Sequence, residues 1–328
     1  INTNPLNMRS YVSFRRSEPK AAEKSPHWEW VSTTRERFRK EREQIWKEIE
    51  PLEEHTAAYT SVAEDFIREI YEEAKRRFPD EFADGKEPLA LVGLGSLGRG
   101  EPGYGSDLEG RVVLTGEHDA PQAAHFIYLA TTDILGQGWS RLLVNDPIQM
   151  SLAEEGELAI ATELLDARFI AGNKKIYEDQ IASYREQLKT QGIDLVKALI
   201  EIWDDRYKRG RFLEGLFERE PNVKESVGGL RAMHFARWIA QVFTSEQEDP
   251  FRKLIEQGLL TESELEHAQE GYNFLQVVRN GIAKMRGPQT STQMTFDIQE
   301  ALAESLGYEA DTSLEISAVE QLLRDYYG

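Results

Sequence analysis

The sequence predicts an α/β unit set between two helical regions. Three observations carry that expectation. Residues 88–172 hold two short apolar runs, LALVGLG and GRVVLTG, each the length of a buried strand and bounded by glycine. From about Trp28 to Arg77, apolar residues recur at helical spacing among charges of both signs. Beyond Asn173 nearly every segment repeats that periodicity, with helix-start signals in place.

Taken in order, residues 1–27 are polar and irregular and read as a loosely attached arm. The stretch TTRERFRKEREQIWKEIEPLEEH lines up Phe38, Ile45, Trp46 and Ile49 on one side of a helix, which Pro51 should end or kink. A second helix over about 57–77 carries Val62, Phe66, Ile67, Ile70 and Tyr71, and FPDEFADGKEP reads as a loop. LALVGLG and GRVVLTG are the two clear strands. APQAAHFIYLATTDILGQG is a helix, SRLLVND and IQMSL are weaker strands separated by Pro147, and ELAIATELLDARFIAGN reads as a helix closed by Gly172-Asn173. Further helices are predicted over about 176–190, 193–218, 228–245, 250–257, 261–286, 297–306 and 315–327, with Thr261 three residues before Glu264 as a capping box. The domain boundaries that follow are 1–80 for an N-terminal arm and helices, 81–175 for the α/β domain, and 176–328 for a helical domain.

A length of 328 residues suggests about two domains at roughly 100–200 residues each. With 58 acidic against 39 basic residues, the net charge of −19 argues against a general nucleic-acid binder, which needs a basic face for phosphates. A local basic pocket remains compatible with it. There is no cysteine, so disulfides, cysteine-zinc sites and thiol nucleophiles are ruled out, as a reducing cytoplasm would allow. No apolar run approaches the roughly 20 residues of a membrane span, and the N-terminal stretch lacks the apolar core of a signal peptide. The expected setting is cytoplasmic, with no membrane or nucleic-acid partner.

The stretch that carries chemistry is LALVGLGSLGRGEPGYGSDLEG, Leu89 to Gly110. Glycines let the backbone approach an anion without interference from a Cβ. Gly95 and Ser96 stand where a strand ends and a short helix can begin, so their N–H groups and the Ser96 hydroxyl are placed to hold a phosphate, with Arg99 adding a charge-assisted contact. Asp107 and Glu109 are two apart and, on a strand, point to the same face. Two carboxylates so placed repel unless a cation sits between them, and oxygen ligands with phosphate and water suit Mg²⁺ or Mn²⁺. GLGSLG fits the dinucleotide pattern by letter, yet Pro102, Gly103 and Gly105 interrupt the helix that pattern requires. Nor is there the Gly-Lys-Ser/Thr of a P-loop.

The whole string resembles the nucleotidyltransferases of the DNA polymerase β superfamily, in which a Gly-Ser turn is followed about a dozen residues later by Asp-x-Asp or Asp-x-Glu. More narrowly, GSLGRGEPGYGSDLE is similar to the segment in bacterial PII uridylyltransferase and its relative, glutamine synthetase adenylyltransferase. EPNVKESVGGLRAMHFARWIAQVF, residues 220–243, resembles the segment that follows the catalytic domain of the uridylyltransferase. ATELLDARFIAGN and the helices after residue 254 are similar as well, so the resemblance covers about residues 88–328. It implies a small mixed sheet of the polymerase β type flanked by helices. It also implies that Gly95 and Ser96 bind the triphosphate and that Asp107 and Glu109 hold the metal. Lys224, Gly228, Gly229 and Arg231 would form a second wall, Gly228-Gly229 lying just before a helix whose first N–H groups are free. The implied reaction is transfer of UMP or AMP from an NTP to a hydroxyl, on a protein of nitrogen signalling, with release of pyrophosphate. A small-molecule acceptor is a further possibility.

Three departures from the pattern favour a second reading. Glu109 is followed by Gly110-Arg111, and by parity Arg111 shares the face of Asp107 and Glu109, where it can pair with them in place of a cation. Ala232 stands where the family has an acid, and Asp146 is the best positional choice for a third carboxylate that activates the acceptor. His234 matches the family's histidine in the second motif, but the six histidines form no hydrolase-type His-Asp pair, so nucleotide removal and small-molecule sensing are not expected. The alternative is a catalytically degenerate protein on this scaffold, acting as a regulatory, nucleotide-binding or partner-binding module.

Overall fold

The computed structural model describes residues 26–116, 119–136, 139–143, 161–208, 218–245, 249–287 and 292–328. The expected arm, the IQMSL strand and Asp146 lie outside the described residues.

Helix α1 (Pro26–Glu48) stops three residues short of Pro51 and turns back into α2 (Glu54–Arg77). The two pack through the apolar stripes read from the sequence. Phe38 meets Phe66 edge-on at 5.2 Å between centroids, and Trp46 meets Tyr59 at 5.0 Å and 88°. Aromatic pairs in this geometry add about 0.5–1.5 kcal/mol to their area burial.

The sheet is mixed, in the order β3-β2-β1-β4. Strand β1 (Leu89–Gly93) runs antiparallel to β2 (Gly110–Leu114) and to β4 (Arg168–Gly172). β2 is parallel to β3 (Trp139–Leu143), the two joined by the crossover helix α4 (Pro121–Leu135). Successive strand residues point to opposite faces, and β1 feeds two cores at once. Leu89 and Leu91 join α1, α2 and α4, whereas Ala90 and Val92 join Tyr184, Leu199, Phe235 and Trp238 from the helices beyond. A strand buried on both faces reads as a continuous apolar run, which is why LALVG was legible.

The chain from residue 161 to 173 departs from the expected helix. Helix at residues 161–163 gives way to a 3-10 turn at Leu164–Asp166, and 168–172 is strand β4. Phe169 and Arg168 pair with Val92 and Gly93, and ladder pairing with β1 overrides the helical periodicity of the stretch. Gly172 (φ +86°) is no helix cap. A Cβ there would lie 2.4 Å from the Leu89 carbonyl oxygen, so glycine is required by backbone contact.

Helix α5 (Lys174–Lys208) is continuous where two helices were expected. Gly192 interrupts nothing. It lets Val242 of α6 (Leu230–Thr244) pack closely, since a Cβ would come within 2.8 Å of Val242 Cγ1. Helix α7 (Pro250–Glu256) packs against α6, and α8 (Glu262–Arg286), α9 (Phe296–Ser305) and α10 (Ala318–Tyr327) enclose a third core around Val278, Ile282, Met294 and Leu302. Thr261–Glu264 and Ser317–Glu320 form full capping boxes. The architecture is thus α/β plus α: a small mixed sheet of the polymerase β type with helical flanks. No helix among the described residues is long and apolar enough to cross a membrane.

Candidate active site

The glycine turn leaves β1 through an extended Leu94 into the five-residue helix α3 (Gly95–Arg99). Among the described residues no side chain caps its start. The first amides of a helix have no partner within it. Gly95 sits at φ +51°, and a Cβ on it would lie 2.5 Å from Glu109 Oε2. Two demands for glycine therefore meet at one position. The Leu94 amide donates to the Glu109 carbonyl at 3.0 Å, extending the β1–β2 ladder past the strand and fixing the acid against the turn. Gly98 lies against backbone as well, since a Cβ there would be 1.9 Å from the Asp166 carbonyl oxygen.

Asp107, Leu108 and Glu109 alternate exposed, buried, exposed, so the two acids share a face as the spacing predicted. Leu108 anchors them in the core. The loop before them is pinned by Tyr104, which stacks on Trp46 at 4.6 Å and 17° and lies under Arg42 at 5.3 Å. The end of the Glu109 side chain loses water over Gly95, and that loss, followed by the charge of Asp107, pushes its carboxyl above the usual carboxylate range. Arg99, Lys224 and Arg231 oppose the shift, so the second motif lies within electrostatic reach of the first.

The second motif forms a tight loop before α6. Asn222 Oδ1 accepts from the amides of Lys224 and Glu225, each at 3.0 Å. The Leu230 and Arg231 amides donate to the Val223 and Lys224 carbonyls, each at 3.0 Å. This corrects the expectation of free amides at that helix start: the loop folds back and uses them. Gly228 (φ +75°) and Gly229 build the turn, and a Cβ on Gly229 would meet three carbonyl oxygens at 2.8–3.0 Å. The wall is therefore made of side chains. Arg231 pairs with Glu225 at 3.0 Å. Lys224 has no ion pair among the described residues, and burial, then Arg231, pushes its ammonium below the ordinary lysine value.

Arg111 takes neither Asp107 nor Glu109. It is buried and pairs through its fork with Glu163, Nε to Oε1 at 3.1 Å and Nη2 to Oε2. The parity argument placed it on the right face, but a bidentate carboxylate from the 161–166 segment outcompetes the two solvent-facing acids. Arg99 is likewise engaged, by Glu101 at 3.1 Å and by the buried Asp166.

Residues 195–328 match the family described as GlnD PII-uridylyltransferase. The bifunctional uridylyltransferase/uridylyl-removing enzyme of Cupriavidus metallidurans is 34% identical over 242 residues, covering 73% of this chain and 27% of that protein. The enzyme of the same description from Burkholderia orbicola is 32% identical over 246 residues (73% and 27%), and that of Cupriavidus pinatubonensis 32% over 241 (73% and 26%).

The chain resembles the PII-uridylyltransferase region of these enzymes.

It spans about a quarter of the length of the curated relatives it matches. The Cupriavidus metallidurans match is longer than 195–328 and so takes in part of the chain before residue 195, where the sheet and the glycine turn lie.

Within this uridylyltransferase-like scaffold, Glu109 lies over Gly95, with Asp107, Lys224 and Arg231 acting electrostatically on its carboxylate. Arg99 lies beside it but in ion pairs, and Asp146 is outside the described residues. Asp107 and Glu109 fit a hard divalent cation: both are exposed oxygen donors on one face, and the like charge of Asp107 already raises Glu109. Among the described residues, no group of three or more metal-ligating side chains is gathered. Sequence reasoning missed Glu101, Glu163, Asp166, Tyr272 and Arg279. For the last two a signal exists: Tyr272 and Arg279 are seven apart on α8 and so share a face, the one bearing the apolar stripe Leu275, Val278 and Ile282.

Proposed function

We propose that this chain binds a nucleoside triphosphate as a nucleotidyltransferase-fold module. The triphosphate lies between the Gly95–Ser96 turn with Asp107 and Glu109 on one side, and Lys224 and Arg231 on the other. The observation that carries the reading is the Glu109 carboxylate, seated over Gly95 and within electrostatic reach of Lys224 and Arg231 from a segment more than a hundred residues away. The Gly95 and Ser96 amides and the Ser96 hydroxyl donate to phosphate oxygens, and the two cations offset charge that the acidic chain would otherwise repel. Asp107 and Glu109 are the residues that would hold Mg²⁺ or Mn²⁺, which when bound neutralises triphosphate charge. The regulatory or binding role comes first because two carboxylates face the space while Glu163 is tied to Arg111 and Arg99 to two acids.

The second reading is transfer of UMP or AMP to a hydroxyl on a protein. The pair Asp107–Glu109 favours it, since neither acid has an ion pair among the described residues. In that reaction the acceptor oxygen bonds to the α-phosphorus, the bond to the bridging oxygen breaks, pyrophosphate leaves, and the hydroxyl proton passes to a base. The relatives' names make UTP the first nucleotide to try. Equilibrium dialysis with labelled UTP, ATP, CTP and GTP plus Mg²⁺ or Mn²⁺ tests the binding. We expect saturable, metal-dependent retention that Asp107→Asn weakens about tenfold, or ~1.4 kcal/mol. Retention of no nucleotide would overturn the reading. Label transferred to a protein acceptor and abolished by Asp107→Asn would establish the second.

A further inference from the structure

Glu101 follows α3 by two residues and is held from both halves of the molecule. On the α3 side its amide donates to the Ser96 carbonyl at 2.7 Å, and its carboxylate accepts from Arg99 Nε at 3.1 Å. On the helical side its carboxylate accepts from the Tyr272 hydroxyl of α8, and its carbonyl accepts from Arg279 Nη1 at 3.1 Å. His234 of α6 lies with Nε2 3.0 Å from the Tyr272 oxygen and 3.8 Å from the Glu101 carboxylate. The Tyr272 proton is committed to Glu101, so His234 must donate its own Nε2–H to the tyrosine oxygen. The order is His234 to Tyr272 to Glu101 to Arg99. Burial would raise the Glu101 carboxyl, but His234, Arg99 and Tyr272 together hold it at about 2, so its charge persists throughout the physiological range.

We infer that Glu101 is a positioning residue: it sets the distance between the Gly95–Ser96 turn and the Lys224–Arg231 wall without touching what lies between them. The geometry gives the reason. Arg99 ends the helix that Gly95 and Ser96 begin, and His234 stands three residues, about one turn, after Arg231. The span from one wall to the other is thus a single chain of hydrogen bonds. Arg279 also donates to Gln276 at 3.2 Å, and a Cβ on Gly103 would lie 3.2 Å from Arg279 Nε, so the loop carrying Glu101 rests directly on α8. Each link in this chain is a direct hydrogen bond between largely buried groups, so losing one link loosens the join between the two halves.

The functional consequence rests on the nucleotide-binding reading, and two measurements separate the two claims. Tyr272→Phe keeps the ring and its packing and removes the link. Without nucleotide, we expect amide hydrogen exchange to speed up together at residues 95–101 and at 230–235, with helix content unchanged. With UTP or ATP and Mg²⁺, the dissociation constant should rise about fivefold, the size of one lost hydrogen bond. Glu101→Gln retains an acceptor for Tyr272 and should bind nucleotide more tightly than Glu101→Ala. Faster exchange confined to α8, or unchanged affinity in Tyr272→Phe when the wild-type protein binds nucleotide, overturns the inference. A wild-type protein that binds no nucleotide overturns the nucleotide reading alone and leaves the exchange result to decide the coupling.

Discussion

Gly95 shows how one position can be fixed by two independent demands. Its φ of +51° costs a residue with a side chain about 1–2 kcal/mol, and the Glu109 carboxylate occupies the space a Cβ would take. Gly95→Ala should therefore destabilise the protein by that order and shift Glu109, abolishing nucleotide binding, whereas Gly100→Ala, left-handed as well at φ +76° but with no atom nearer its Cβ than 3.9 Å, should carry a similar backbone cost and keep binding. Thermal melts with paired binding titrations check this, and equal loss of binding in both variants would contradict it. Gly95 and the Asp107/Glu109 spacing were legible because strand end, glycine and alternation are local signals. The partner of Arg111 was not, because Glu163 lies fifty-two residues away and no local pattern joins them. His234 yields a pH prediction. Burial first, then Arg99, depresses its imidazole from 6.5 to about 3. Between those values the unfolded chain binds the extra proton, so stability rises with pH across that window and is lost as pH falls. From pH 6.5 down to about 5, above the range where Glu101 titrates, His234→Gln should flatten the slope by up to ~1.4 kcal/mol per pH unit. Denaturant melts across pH decide it, and parallel profiles would contradict it.

At the scale of elements, periodicity identified the helices of the N-terminal hairpin and most of the C-terminal region, since each buries one stripe. It failed where glycine has a different job. Gly172 and Gly192 read as breaks, yet one meets the backbone of β1 and the other admits Val242 of α6. Close approach of two elements leaves the same letter in the sequence as a turn. Gly192→Ala provides the test. In an exposed helix this change gains about 1 kcal/mol, but here the new methyl lies 2.8 Å from Val242 Cγ1. The variant should melt below the wild type, and Val242→Ala should restore part of the loss. A higher melting temperature for Gly192→Ala would show that α5 and α6 separate at no cost.

Across the whole molecule, three cores meet around the candidate site. The sheet divides the first from the second, and α8 joins the third to the first, Asn280 donating to the Leu52 carbonyl at 3.0 Å and to Thr56 at 3.1 Å. The chain carries a net charge of −19, yet Arg99, Lys224, Arg231 and Arg279 converge beside the glycine turn. Arg99 and Arg231 are each held there by acids, so the cations are largely balanced within the protein. The two motifs are each local patterns in the sequence, and their meeting was implied by family resemblance rather than by any pattern within the chain. The bond from Tyr272 to Glu101 spans 171 residues, beyond the reach of local spacing. The most direct test is titration calorimetry of UTP and ATP with Mg²⁺ against the wild-type protein, Asp107→Asn and Lys224→Ala. The account predicts one saturable site that each substitution, from opposite walls, weakens about tenfold or more. Affinity unchanged in both variants, or no heat of binding in the wild-type protein, would contradict it.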